Sequence, residues 1–319
     1  MNDEFFSVLV FKCFSGYQER SHSWQLLITM NDDFILVFKY SKHNPNKKSP
    51  RIASLLIPLK HINPKTLKNS SFITHRSSLI YMAVFLSAEW RKLAILNYAA
   101  DPASLKPFLP AHTELDYWNG VCYASMVGFW FADTRVLGMK IPFHVNFEEV
   151  NLRFYVKHQT PQGEWRRGVV FVRELVPKPA IAWVANTLYR ERYSALPMRH
   201  SWEADADKLS VEYSWKYKGH WNHLGVRADA QPIPLKAGSE AEFITEHYWG
   251  YARWNDKETM QYQVEHPRWE LYPVEQWRAD INFSALYGPA FAYLEKAEPL
   301  SVFLAEGSAV SVRKGARIV

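Results

Sequence analysis

The chain is poor in cysteine, in long apolar runs and in nucleotide-binding or hydrolase motifs, and each shortage removes a class of function. Its two cysteines, Cys13 and Cys122, are far apart in 319 residues, too few for a disulfide framework or a thiolate metal site. That pattern predicts reduced thiols and a cytoplasmic protein. The longest apolar run, Leu79 to Leu86, falls short of the roughly 18 residues that a membrane helix needs, so no membrane partner is expected. Asp3 and Glu4 stand where a signal peptide would carry positive charge. From Met82 onward there is no P-loop, no dinucleotide fingerprint and no G-x-S-x-G elbow, which argues against nucleotide cofactors and serine hydrolysis.

A surplus of positive charge is also missing where it would matter. The chain as a whole carries a formal net charge of +6. Residues 1–81 hold 11 Lys+Arg and 5 Asp+Glu, so the whole excess lies there. The remainder has 27 basic and 27 acidic residues and nothing left to build the basic stripe of a nucleic-acid-binding face. No nucleic-acid partner is expected.

What the chain does have is aromatic bulk: 15% Phe, Trp and Tyr, including 13 Trp. Large rings favour pleated sheets and apolar pockets over helical bundles. They are unevenly spread. Residues 1–81 contain one Trp, one Gly and one Ala, whereas the rest holds 12 Trp and 12 Gly. The early segment shows no sustained helical period and no paired-strand pattern with clear turns, and Tyr40 to Arg51 reads as an exposed loop. The expected division is an extra segment, 1–81, outside the fold, and one domain, 82–319. A small separate domain and an interaction arm compete with translated upstream sequence, the true start then being Met82; the abrupt change in composition favours the last.

Beyond Met82 the pattern is mainly period two. Strands are predicted at Glu89–Tyr98, Gly120–Phe131, Phe147–Val156 and Gly168–Leu175, and around Val211, Tyr213, Trp215 and Tyr217. Met260, Tyr262 and Val264 alternate as well. Leu300–Leu304 and Ala309–Arg313 read as two closing strands around Gly307. Helices are few: a short one opened by Asp101-Pro102 and running through Phe108, one over Ala180–Arg190 with Ile181, Val184, Ala185 and Leu188 on one face, and one capped by Ser239 and Glu242. No βαβ alternation is present. The expected class is mainly β, an antiparallel cone-like barrel or large curved sheet with a few short helices, with α+β as the runner-up.

The most informative stretch is F-E-E-V-N-L-R-F-Y-V, Phe147 to Val156. In a strand, Val150, Leu152, Phe154 and Val156 face one way and Glu149, Asn151, Arg153 and Tyr155 the other. Four polar types in a row suit either the wall of a polar pocket, with Glu149 paired to Arg153, or a solvated sheet face. Further stretches are L-P-A-H-T-E-L-D-Y-W-N-G (Leu109–Gly120), the run from Val176 to Met198, T-E-H-Y-W-G-Y (Thr245–Tyr251) and V-E-H-P-R-W (Val264–Trp269). His220 and His223 have an H-x-x-H spacing off any helix, without a cysteine or H-E-x-x-H partner, so no metal site is expected. His247, between Glu246 and Tyr248, is the better candidate to touch a ligand, although a hydrogen-bonded core histidine is the plainer role.

These segments, in this order, resemble the YqjF-like family of uncharacterised proteins over nearly all of residues 82–319. That family is similar in fold to acetoacetate decarboxylase, which implies a cone-like antiparallel β-barrel with a central pocket and places Glu149, Asn151, Arg153 and Tyr155 on its wall. The resemblance does not carry the decarboxylase chemistry across. The decarboxylase uses a Schiff-base lysine; at the matching place this chain has Arg192-Tyr193-Ser194. Lys178, at the other end of the preceding helix, reads as a surface residue. Two functions remain open. In one, an enzyme or former enzyme acts on a small carboxylate or carbonyl compound: Arg153 holds the anion, Glu149 serves as acid or base, and Tyr155 and Tyr193 donate hydrogen bonds. In the other, a non-catalytic module binds a small molecule in an aromatic cavity. No cofactor is implied, and a homo-oligomer is compatible with the sequence.

Overall fold

Alternation of apolar and polar side chains dictates the architecture. The computed structural model describes residues 84–319 together with the backbone of four earlier strands, and the chain divides into two units, Met1–Ser78 and Leu79–Val319. In the first unit, β1 (Val8–Cys13), β2 (Ser23–Asn31), β3 (Phe34–Ser41) and β4 (Arg51–Pro58) pair in that order as an antiparallel meander. This differs from the sequence expectation of no paired strands. Runs such as F-I-L-V-F-K-Y carry strong strand propensity without the period-two alternation that reveals a strand on a half-buried sheet. The loop expected over Tyr40–Arg51 yields its ends to β3 and β4, and its middle lies outside the described residues, as does Met82.

The second unit is mainly β. Its strands are β5 (Val84–Ala99), β6 (Glu114–Leu115), β7 (Tyr117–Trp118), β8 (Val121–Val136), β9 (Phe147–Gln159), β10 (Trp165–Val176), β11 (Tyr193–Ala195), β12 (Met198–Ala204), β13 (Lys208–Tyr217), β14 (His220–Asp229), β15 (Trp249–Arg253), β16 (Thr259–Glu265), β17 (Leu271–Tyr272), β18 (Val274–Asp280), β19 (Ser301–Arg313) and β20 (Ala316–Ile318). Four short helices interrupt them: α1 (Pro102–Leu105), α2 (Pro179–Leu188), α3 (Glu240–Thr245) and α4 (Phe283–Tyr287).

A large curved sheet runs β10-β15-β16-β19-β5-β8-β9, and β9 also pairs with β10, so each of these seven strands is hydrogen-bonded to two others of the set. Most pairings are antiparallel; β10 meets β15 and β11 in parallel. A second sheet, β12-β13-β14-β18, covers part of the outer face. The layer between the sheets is apolar. Val150, Leu152, Phe154 and Val156 of β9 are fully buried there and share one core with Val211, Tyr213, Trp215 and Leu224. Burying each such side chain contributes about 1.5–3 kcal/mol. The other face of β9 joins a separate cluster inside the curve, with Ile95, Tyr123, Val127, Phe129, Tyr155 and Phe243.

Two elements differ instructively from expectation. Leu300–Leu304 and Ala309–Arg313 are one strand, β19, because Gly307 absorbs the break: its φ is +81° and a Cβ there would lie 2.0 Å from the Trp90 carbonyl oxygen. Helix α2 stops at Leu188, with Arg190 in the left-handed region at φ 57°; its buried residue is Ala182, while the expected stripe of Ile181, Val184, Ala185 and Leu188 is only half-buried. The cap of α3 matches: Ser239 Oγ accepts from the Glu242 amide at 3.2 Å, while Glu242 reaches back one residue further, to the Gly238 amide.

Candidate functional site

Period-two geometry places Glu149, Asn151, Arg153 and Tyr155 in a row inside the curve. Glu149, Asn151 and Tyr155 are buried and Arg153 is nearly so. The expected pairing of Glu149 with Arg153 does not form. Four residues along a strand is about 13 Å, whereas the residue two along is about 7 Å away. Asn151 Nδ2 therefore donates to Glu149 Oε1 at 3.0 Å, and Tyr193 Oη donates to Glu149 Oε2 at 3.0 Å. Arg153 turns the other way: its Nη2 donates to the Ile244 carbonyl at 3.4 Å and its guanidinium sits 5.7 Å from the Tyr155 ring centre.

Tyr193 reaches Glu149 because β11 is tightly held. The Asn186 side chain brackets its backbone, accepting from the Tyr193 amide at 2.7 Å and donating to the Tyr193 carbonyl at 3.0 Å. Residues on either side of Tyr193 then alternate, so Glu191 joins it inside. Glu191 Oε1 accepts from Tyr262 Oη at 2.7 Å. The Tyr262 ring lies directly over Gly250, where any Cβ would fall 2.2 Å from its Cζ, so only glycine permits this placement. Glu174, opposite both Asn151 and Tyr193 in the ladders, completes the group.

Three buried carboxyls thus meet with few counter-charges. Burial raises all three. The charges of Glu191 and Glu149 push Glu174 well above the carboxylate range. Burial lifts Glu191 to about 8, relieved in part by the hydrogen bond from Tyr262. It lifts Glu149 to about 7 against the hydrogen bonds of Asn151 and Tyr193 and the charge of Arg153. Like charges in a dry environment cannot all ionise, so the group holds protons at neutral pH. The cations that bear on it are guanidinium groups, Arg153 and Arg192; no lysine is among its partners. Lys178 sits at the N-cap position of α2 instead, its side chain making no capping bond.

Several polar atoms here are buried and unpartnered: Asn151 Oδ1, Arg153 Nε, Glu174 Oε2 and both ring nitrogens of His247. His247 lies 4.7 Å from the Tyr155 ring centre and 3.7 Å from Asp116, beyond hydrogen-bond length. Asp116 is taken by Arg167 at 2.6 Å. Burial pushes the imidazole down to about 4, so it is neutral. Tyr155 belongs to a second polar chain: Tyr155 Oη donates to Ser125 Oγ (2.7 Å), which donates to Asn97 Oδ1 (2.6 Å). The Asn97 amide donates to Ser301 (3.0 Å), and Ser301 donates to Glu240 (2.6 Å).

Sequence reasoning brought Glu149, Asn151, Arg153, Tyr155, Tyr193 and His247 to this interior and missed Glu174, Glu191, Tyr262, Asn97 and Ser125. A pair of charges, Arg173 and Glu174, in the otherwise apolar run V-V-F-V-R-E-L-V was the available sign for Glu174. The alternation of Tyr189, Glu191 and Tyr193 was the sign for Glu191. Among the described residues no group of three or more His, Cys, Asp or Glu is arranged to hold a metal ion, and no helix is long and apolar enough to cross a membrane.

Comparison with solved structures finds the same fold. Acetoacetate decarboxylase from Legionella pneumophila superposes with a TM-score of 0.50 at 14% identity, over 78% of this chain and 93% of its own. The enduracididine biosynthesis enzyme MppR, complexed with pyruvate, gives 0.51 at 9% identity over 73% and 90%. An acetoacetate decarboxylase-like enzyme from Sphingomonas wittichii gives 0.50 at 13% over 78% and 99%. In sequence, the uncharacterized protein YqjF of Bacillus subtilis is 24% identical over 217 residues, covering 66% of this chain and 84% of its own length. Residues 87–309 match the family DUF2071, described as an uncharacterized conserved protein, and the chain belongs to that family.

Proposed function

We propose that the interior of the curved sheet is a site for a small carboxylate or carbonyl compound, acting by proton transfer and without a Schiff base. The observation that carries this is the buried trio of Glu149, Glu174 and Glu191, which retains protons at neutral pH beside an incompletely satisfied guanidinium. Arg153 Nε and Asn151 Oδ1 offer a donor and an acceptor to a ligand, and a carboxylate suits the guanidinium. A carboxyl with a pKa near 7 is matched to giving or taking a proton at physiological pH. The stretch matched to the decarboxylase nucleophile, Arg192-Tyr193-Ser194, holds no lysine, and a phenol cannot form an imine; Tyr193 here orients Glu149. That the MppR structure holds pyruvate supports choosing a keto acid as the first probe.

The test pairs binding with trapping. Pyruvate and acetoacetate are titrated against the protein with and without borohydride. Saturable binding that Arg153→Met weakens at least about ten-fold is expected, the loss of one charge-assisted contact, with no covalent adduct. A borohydride-stable adduct on any lysine refutes the mechanism, and absence of binding by every small carboxylate tried refutes the site. A second reading, binding without turnover, is favoured by the rings around His247: Tyr155, Phe243 and, against Phe243, Trp118. Proton exchange at the carbon beside the carbonyl, followed by NMR in D2O, separates the two.

A further inference from the structure

Arg192 stands between Glu191 and Tyr193, yet it belongs to the opposite side of this segment. With Arg173, Tyr193, Ser194, Phe108, Tyr217 and Leu286 it lines an open cleft of about 480 Å³ between β11 and the end of α4. That volume lies within the roughly 300–1,000 Å³ of small-molecule sites. Two guanidinium groups, Arg173 and Arg192, line it, and the charge of Arg253 acts on Arg192 from nearby. Among the described residues none of the three has a carboxylate within ion-pair distance, although the Glu191 carboxyl acts on Arg192 from farther off. Arg173 Nη1 donates to the Leu286 carbonyl at 2.6 Å. The Arg192 guanidinium lies 4.8 Å from the Phe108 ring centre and makes no side-chain hydrogen bond among the described residues. Arg253 donates to the Leu109 carbonyl at 2.8 Å, behind Phe108. Partial desolvation and the charge of Arg253 hold Arg192 below the usual guanidinium value, against the smaller opposing effect of Glu191.

The choice of residue narrows the ligand. The cluster is built from arginine alone, whose planar fork matches phosphate and carboxylate oxygens in pairs. Two positive charges on the wall, with Arg253 near Arg192, are better balanced by a dianion than by a monoanion. Phe108, Tyr217 and Leu286 add apolar surface beside the charge. We propose that this cleft is an anion site, distinct from the interior ligand site although Tyr193 borders both, that takes a phosphate monoester with an apolar or aromatic body. Arg192 and Arg173 hold the phosphoryl oxygens, and the Ser194 hydroxyl supplies a further donor.

Phenyl phosphate is the direct probe, with benzoate and inorganic phosphate as comparators, titrated by calorimetry against the full chain. Saturable phenyl phosphate binding, tighter than that of benzoate, is expected. Arg192→Gln weakens it at least about ten-fold, the loss of one charge-assisted pair. Because Arg192 is exposed, this variant keeps the wild-type melting curve, whereas Arg173→Gln loses a bond to the end of α4 and serves as a second variant. Arg153→Met, inside the curved sheet, leaves phenyl phosphate binding unchanged. Three results overturn the proposal: no saturation up to about 10 mM, well beyond the affinity of a specific site; binding that Arg192→Gln does not alter; or binding lost in Arg153→Met and retained in Arg192→Gln, which moves the anion to the interior.

Discussion

Proton storage by the buried carboxyls makes stability fall as pH rises, and Glu191 is the residue through which to test it. In the unfolded chain a glutamate titrates near 4.5, and in the fold Glu191 titrates near 8 and Glu149 near 7. An acid whose pKa is raised by folding stabilises the native state fully below its unfolded pKa, and that contribution is lost as pH climbs through the folded value. Between pH 6.5 and 8.5 the linkage relation gives a loss of about 2 kcal/mol from Glu191 and a little under 1 kcal/mol from Glu149. The wild type is therefore expected to lose about 2–3 kcal/mol across that window. In Glu191→Gln the amide oxygen still accepts from Tyr262 and the amide nitrogen can donate to Glu174. The variant removes the titration and is expected to lose less than about 1 kcal/mol. Urea denaturation at a series of pH values measures both curves. Parallel curves for wild type and variant, or a wild type that gains stability towards pH 8.5, would falsify the proton-holding cluster.

Four shorter predictions accompany it. Gly250→Ala forces Tyr262 off its seat, because a Cβ would lie 2.2 Å from its ring; a cost of about 1–3 kcal/mol in urea is expected, and an unchanged midpoint refutes the packing argument. His247 behaves oppositely to the carboxyls: its pKa is depressed to about 4 by burial, so stability is lost as pH falls from the unfolded value of 6.5 towards 4, by up to about 3 kcal/mol. His247→Gln should flatten that acid limb, and an equally steep limb in the variant excludes His247 as its source. Asn186→Ala removes both bonds that bracket Tyr193; a loss of about 2 kcal/mol is expected, together with weaker keto-acid binding if Tyr193 positions Glu149. If translation begins at Met82, mass spectrometry of the native protein finds no tryptic peptide from residues 21–51, and any such peptide removes that reading.

The strands and the row Glu149-Asn151-Arg153-Tyr155 were legible because a half-buried strand writes its two faces alternately into the sequence. The rest of the site was not, for physical reasons. Glu174 and Glu191 meet Glu149 only through ladders that join residues tens of positions apart, and no local period records such a meeting. Tyr262 was recognisable as a strand residue, but its role depends on the bare backbone of Gly250 on the neighbouring strand. Pairing Glu149 with Arg153 failed for the converse reason: charge complementarity was weighed without the strand rise that favours Asn151. In the first unit, β2 and β3 went unseen because their apolar residues run on without alternation.

One junction in the curved sheet has a bearing on how anything reaches the carboxyls. Strand β10 joins β15 through two residue pairs only, Gly168 with Trp249 and Val169 with Gly250. Its neighbour β9, on the other edge, is paired along ten positions. Backbone amides at so short a seam are the cheapest to expose by a local opening. Such an opening draws Gly250 away from β10, while the Tyr262 ring that rests on it stays in place through the β15–β16 pairing, its hydroxyl still on Glu191. Two residue pairs are also all that join β16 to β19, so the sheet has two short seams, and the one at β10 lies beside the proton store.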